Sequence, residues 1–143
     1  MGRINLNRVM LGGLIAAVVF VVVEFVIEGI ARVTFNVNEG TALREALNVA
    51  PGGVVYHVTS VVYLLVVCML FVWVYAALRP RFGAGPRTAL ITTAIVMLAG
   101  LLVGVNMVNL GILPVNIVLM SLVFNLIELP LALLVGAAVY KEA

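Results

Sequence analysis

The chain carries no charged side chain between Ala89 and Leu126. A hydrocarbon layer about 30 Å thick is crossed by about 20 helical residues, so this stretch is too long for one crossing and suits most of two. Two further apolar runs precede it. The first covers about 9–31 and is broken only by Glu24 and Glu28; the second covers about 54–78, with His57 as its one ionisable group. In hydrocarbon every backbone polar group must be satisfied within its own segment, so such runs fold as helices. The long uncharged stretch divides at 109–116, where Gly111 and Pro114 supply turn chemistry. Pro114 fits the first turn of a helix, where its missing N–H costs nothing. The expectation is an all-α membrane protein with a single transmembrane domain over 1–143. Its spans lie at about 9–31, 54–78, 87–110 and 114–140, and they form a four-helix bundle.

Composition excludes the alternatives. Hydrophobic residues make up 65% of the chain and charged residues 10%, against about 45–50% and about 25% in soluble domains. A chain of 143 residues cannot hide that much apolar surface from water, which excludes a soluble enzyme, a disordered tail and a nucleic-acid binder. All six acidic residues are glutamates, and Cys68 is the single cysteine. One cysteine forms no internal disulfide and no cysteine-based metal centre.

The basic residues set an orientation. With the N-terminus in the cytoplasm, Arg3, Arg8, Arg79, Arg81, Arg87 and Lys141 fall inside, and only Arg32 and Arg44 fall outside. Arg79, Arg81 and Arg87 in and beside the inner loop at 79–86 are the membrane-orienting residues, placed to rest on lipid phosphates. Trp73, Tyr75 and Tyr140 should lie at the inner boundary and Tyr56 at the outer one. The first run is longer than a signal-peptide core and no Ala-x-Ala site follows it, so it reads as a retained anchor. The outer loop at 32–53 holds Ala42, Leu43, Ala46, Leu47 and Ala50 on one helical face. This pattern predicts a short amphipathic helix on the outer surface. Pro80 should stop the second span, and Gly100 and Gly104 form a G-x-x-x-G expected to pack closely against a neighbour.

Polar side chains inside the spans gather at one depth. Counted from Arg8 at 1.5 Å per residue, Glu24 lies roughly 24 Å and Glu28 roughly 30 Å along the first helix. His57 lies roughly 33 Å from Arg79, and Asn106 and Asn109 roughly 28 and 33 Å from Arg87. Glu128 and Asn125 lie roughly 20 and 24 Å from Lys141. All fall between the midplane and the outer surface. Glu24, Glu28 and Arg32 share a stripe at i, i+4 and i+8, which makes Glu28–Arg32 an interfacial ion pair and continues inward to Ala17 and Gly13, small enough for a close neighbour. An isolated carboxylate at the bilayer centre costs about 2.5–3.5 kcal/mol on insertion scales. These glutamates should therefore point into the bundle and meet a proton, a cation or a partner.

Several chemistries are absent from the sequence. There is no H-E-x-x-H and no E-x-x-H pair, so zincin and di-iron carboxylate sites fail. One histidine does not supply both axial ligands of a bis-histidine haem. Ser60 lies one turn from His57, but no carboxylate on that helix orients the imidazole for hydrolase chemistry. The sequence leaves the cofactor and any metal open, and the chain reads as non-enzymatic.

The stretch from Tyr75 through Arg79-Pro-Arg-Phe-Gly-Ala-Gly-Pro-Arg87 to Thr88-Ala89, with Gly12-Gly13 and Glu24 in the first span, resembles small four-span bacterial inner-membrane proteins of uncharacterised activity. That resemblance implies the same layout, in a bacterial plasma membrane with both termini cytoplasmic, and carries no substrate or catalytic residue.

Two functional expectations follow. In one, Glu24, Glu28, His57, Asn106, Asn109, Asn125 and Glu128 line an outward-facing vestibule that binds or gates a cation or proton, with the outer-loop helix as a lid. In the other, the chain is an accessory or scaffold subunit whose polar cluster only fixes helix packing. The expected partners are the lipid bilayer and either further copies of the chain or a larger membrane complex.

Overall fold

Residues 4–50 and 52–141 are described in the computed structural model of the chain; Arg3 lies outside them. Five helices follow in order: α1 (Leu6–Phe35), α2 (Glu39–Leu47), α3 (Val54–Phe82), α4 (Pro86–Asn109) and α5 (Val115–Val139). All but α2 are long and apolar enough to cross a membrane. The chain is a multi-pass integral membrane protein built as an all-α four-helix bundle, with α2 in the connection between α1 and α3.

Asparagine sets several of the helix ends. The side chain of Asn5 accepts from the Arg8 N–H at 3.2 Å and caps α1. Asn38 accepts from the Thr41 N–H at 2.8 Å and caps α2. Asn36 and Asn48 close the same two helices in the left-handed conformation that asparagine tolerates best after glycine. The α4–α5 turn needs Gly111, whose φ of 70° would strain any side chain. Pro80 does not end its helix. It sits inside α3, which runs on to Phe82 and is closed by the Gly83 N–H on the Arg79 carbonyl at 2.8 Å. One lost backbone bond near a helix end is tolerable where the last turn is exposed.

In cross-section α1 and α4 occupy opposite corners, and each packs against both α3 and α5. The helices fit tightest in the half that carries the basic loop. There Gly12 faces the backbone of Gly136, so that a Cβ on Gly12 would come within 2.7 Å of the Gly136 carbonyl oxygen. A Cβ on Gly13 would lie 2.6 Å from the Cα of Met69 on α3. These adjacent glycines serve two different neighbours, the close approach that small residues permit between membrane helices. Val72, Thr88 and Thr92 are fully enclosed nearby. The threonine hydroxyls bond within their own helix: Thr92 donates to the Thr88 carbonyl at 2.9 Å and Thr93 to the Ala89 carbonyl at 3.0 Å. The buried threonines of this half therefore pack between the helices with their hydroxyls satisfied.

The basic end is closed by an aromatic clamp. Tyr75 and Tyr140 are buried and meet edge to face at 6.2 Å. Both were expected at the lipid boundary, but here they serve the protein interior. The Arg79 guanidinium lies 5.9 Å from one ring centre and 5.2 Å from the other, within cation–π range. The Tyr140 hydroxyl accepts from the Asn5 N–H and the Tyr75 hydroxyl from the Gly85 N–H, each at 3.2 Å. Arg79 thus helps pack this end, whereas Arg81 and Arg87 are exposed and free to reach headgroups.

Toward the α2 end the packing opens. Every α3 residue from Val54 to Tyr63 is exposed, and so are most of the α4 residues from Ala94 to Asn106. The divergence leaves internal space under α2.

Candidate functional site

Four glutamates from three helices converge where the bundle opens. Glu24 and Glu28 lie one turn apart on α1, Glu39 begins α2 and Glu128 lies on α5. Glu28 positions α2. Its carboxylate accepts from the Asn38 side-chain amide at 3.2 Å and from the Gly40 N–H at 3.4 Å. A carboxylate there complements the positive end of the helix dipole. This replaces the expected Glu28–Arg32 pair: the exposed backbone donors at the start of α2 take the carboxylate that one helical turn offered to Arg32. Glu39 fixes the other side of α2 by accepting from the Ser121 hydroxyl on α5. Burial pushes the Glu39 carboxyl above its ordinary value; the Ser121 hydrogen bond pulls it down, and the nearby Glu28 charge pushes it up again.

Glu128 is the enclosed member, 3% exposed, and its Oε1 has no hydrogen-bond partner. It lies within electrostatic range of Glu24, Glu39 and Glu28. Glu24 is exposed on α1, within the same range of Glu28 and Glu39. Among the described residues, no three histidine, cysteine or acidic side chains stand close enough to share a metal ion. The cluster can hold a proton, or a cation met by one or two carboxylates.

Beside the cluster lies a partly open cavity of about 520 Å³, walled by α3, α4 and α5 and bordered by Phe20 of α1 and Leu43 of α2. Its surface is mostly apolar. Tyr63, Ser121 and Asn125 are the polar exceptions. Asn125 donates to the Ser121 carbonyl at 2.7 Å, so Ser121 belongs to both features: its hydroxyl holds Glu39 and its side chain borders the cavity. Gly104 packs on Val118, as a G-x-x-x-G should, but Gly100 meets nothing within 4 Å of a built Cβ and borders the cavity instead.

The remaining sequence candidates stand apart from the glutamates. His57 is exposed, its ring edge to face with Tyr56 at 5.4 Å. Tyr56 in turn carries the Arg44 guanidinium 4.8 Å over its ring, which ties the end of α2 to α3. Asn106 and Asn109 are exposed at the far end of α4. Asn125 and Glu128 join the cavity edge and the cluster. Glu39, Ser121 and Asn38 belong to the site although sequence reading passed over them. Ser121, Asn125 and Glu128 recur at i, i+4 and i+7, a legible stripe on one helical face. Glu39 carried only a weak signal, an acidic residue following a helix-capping asparagine.

Set against protein-family models, curated proteins and solved structures, the chain matches none.

Proposed function

We propose that this chain is a non-enzymatic membrane protein that binds a proton or a small cation at the glutamate cluster, with α2 as the lid. The observation that carries the reading is Glu128, enclosed in the bundle with an unpartnered oxygen and three carboxylates in range. Burying a carboxylate is costly and like charges raise the cost, so this position calls for a compensating positive charge. The tightly packed half of the bundle beneath offers no polar exit, which favours binding and gating over open conduction. The basic loop and Lys141 support cytoplasmic termini with α2 outside, and the resemblance of the inner loop implies a bacterial inner membrane.

The test is proton exchange by the purified protein in liposomes that enclose a pH-sensitive dye. Stoichiometric proton or cation uptake that disappears in Glu128→Gln, with the helical content unchanged, is the expected result. Equal uptake by wild type and Glu128→Gln would overturn the reading. A structural role as an accessory or scaffold subunit is favoured by a different observation: Glu28 and Glu39 are both engaged in holding α2. On that reading Glu128→Gln changes assembly alone.

A further inference from the structure

The cavity under α2 lies within the spans. Along α4 its wall extends from Val96 to Met107, roughly 16 Å at the rise of a helix. Its volume of about 520 Å³ falls inside the range of about 300–1,000 Å³ typical of small-molecule sites. Leu64, Val67, Phe71, Met97 and Leu101 make its walls apolar, and no lysine, arginine or histidine borders it. Its polar edge is Ser121 and Asn125, and Ser121 is bonded directly to Glu39. Glu128 follows Asn125 by one helical turn, with Glu24 and Glu28 in range. An apolar slot therefore borders the glutamate cluster at Ser121, whose hydroxyl holds Glu39.

We infer that the cavity beneath α2 binds an amphiphilic organic cation, with its hydrocarbon tail between α3, α4 and α5 and its cationic head at the glutamates beside Ser121. Charge complementarity selects the head. An anionic head beside Ser121 would face the Glu39 carboxylate that Ser121 holds, with no cationic side chain among the described residues of the cavity wall, and a neutral head would forgo that charge-assisted contact. The tail follows from the wall, which matches hydrocarbon in character and lies at bilayer depth. Leu43 on α2 covers one end of the slot, and the exposed Tyr63, Gly100 and Val103 leave it open at the side, so the tail can slide in between the helices. This inference rests on the cation-binding reading of the cluster and names the class of cation.

The experiment uses the full chain in zwitterionic phosphatidylcholine nanodiscs and radiolabelled dodecyltrimethylammonium. Dodecanoate and dodecanol, with the same tail and an anionic or neutral head, are the competitors. Saturable binding is expected that dodecanoate and dodecanol displace at least about tenfold less well than unlabelled ammonium, the difference worth one charge-assisted contact. Gly100→Leu, which places a side chain in the cavity, should weaken ammonium binding by about tenfold and leave Glu128-dependent proton uptake intact. Equal competition by all three amphiphiles would show ordinary bilayer partitioning and overturn the proposal. So would unchanged ammonium binding by Gly100→Leu with its proton uptake preserved, and that result would leave the cluster's proton site standing. Proton uptake does not depend on the tail, so a wild type without any Glu128-dependent uptake refutes the underlying cation reading instead. The competition series needs no variant and stands if Gly100→Leu misfolds.

Discussion

At the residue scale, Glu39 and Glu128 are carboxylates with opposite surroundings. Glu39 has a donor in Ser121 and lies at the rim; Glu128 has an unpartnered oxygen and lies inside. Glu39 gives a pH dependence with a definite sign. Its pKa in the folded chain is raised above the ordinary 4.5 by burial, with Ser121 opposing and Glu28 adding to the shift. A raised carboxyl contributes stability that is complete below the unfolded value and is lost as pH rises through the folded one. The charges facing it are Glu28 and Glu24 from α1 and Glu128 from α5, all of the same sign. Docking of α2 should therefore be firmest in acid and loosen as pH rises through the raised value. Amide hydrogen exchange over 39–47 would read this directly. Protection that falls with rising pH in wild type and stays level in Glu39→Gln is the expected pattern; protection that rises with pH would contradict it. Ser121→Ala removes a donor that favours the charged form, so it should shift the wild-type transition to higher pH.

At the scale of the element, α1 is two helices in one. Its first half is lined by Gly12, Gly13, Ala16 and Ala17 and packs without gaps; its second half carries Glu24 and Glu28 into open space. A side chain at Gly12 has no room, because the nearest obstacle is the Gly136 backbone and backbone does not rotate away. Gly12→Val should lower stability by about 1–3 kcal/mol, the usual cost of overpacking. Gly29, on the same helix, meets nothing within 4 Å. Gly29→Ala should raise stability by about 0.4–1 kcal/mol through the unfolded chain. Thermal unfolding in detergent of the two variants side by side checks both signs. The glycine contact of α1 was legible because small residues on a helical stripe leave only one physical reading. The spans were legible for a related reason, since hydrophobic length in a bilayer admits few folds. Gly100 shows where the pattern stops. Its spacing to Gly104 promised close packing, but whether a helix face meets a neighbour or a cavity depends on how the bundle splays. Periodicity along one helix holds no information about that splay. The same limit hid Glu39, whose importance comes from Ser121, distant in sequence and on another helix.

At the scale of the whole molecule, the bundle is polarised from end to end. One end is sealed by Tyr75, Tyr140 and Arg79 and is tightly packed between the helices. The other opens into an apolar cavity bounded by Leu43 of α2 and joined to the glutamates through Ser121, which holds Glu39. Which side of the membrane this open end faces decides what the site can sample. The basic residues predict the answer: the loop between α3 and α4, with Arg79, Arg81 and Arg87, belongs in the cytoplasm, and α2 belongs outside. Ala84 and Glu45 are both exposed, at opposite ends, and Cys68 is buried and contributes little background. A membrane-impermeant maleimide added to intact cells should label Glu45→Cys and leave Ala84→Cys untouched until the cells are permeabilised. The clamped end would then seal the cytoplasmic side, and a ligand would reach the glutamates from outside or from the lipid, with the transmembrane potential drawing cations inward toward Glu128 at about 2.3 kcal/mol per charge per 100 mV of field crossed. Labelling of Ala84→Cys in intact cells would invert this arrangement. The same glutamates would then face the cytoplasm, and the potential would oppose a cation's entry to Glu128 from that side and assist its release there. The labelling pattern therefore fixes the direction in which membrane voltage should alter occupancy of the cluster.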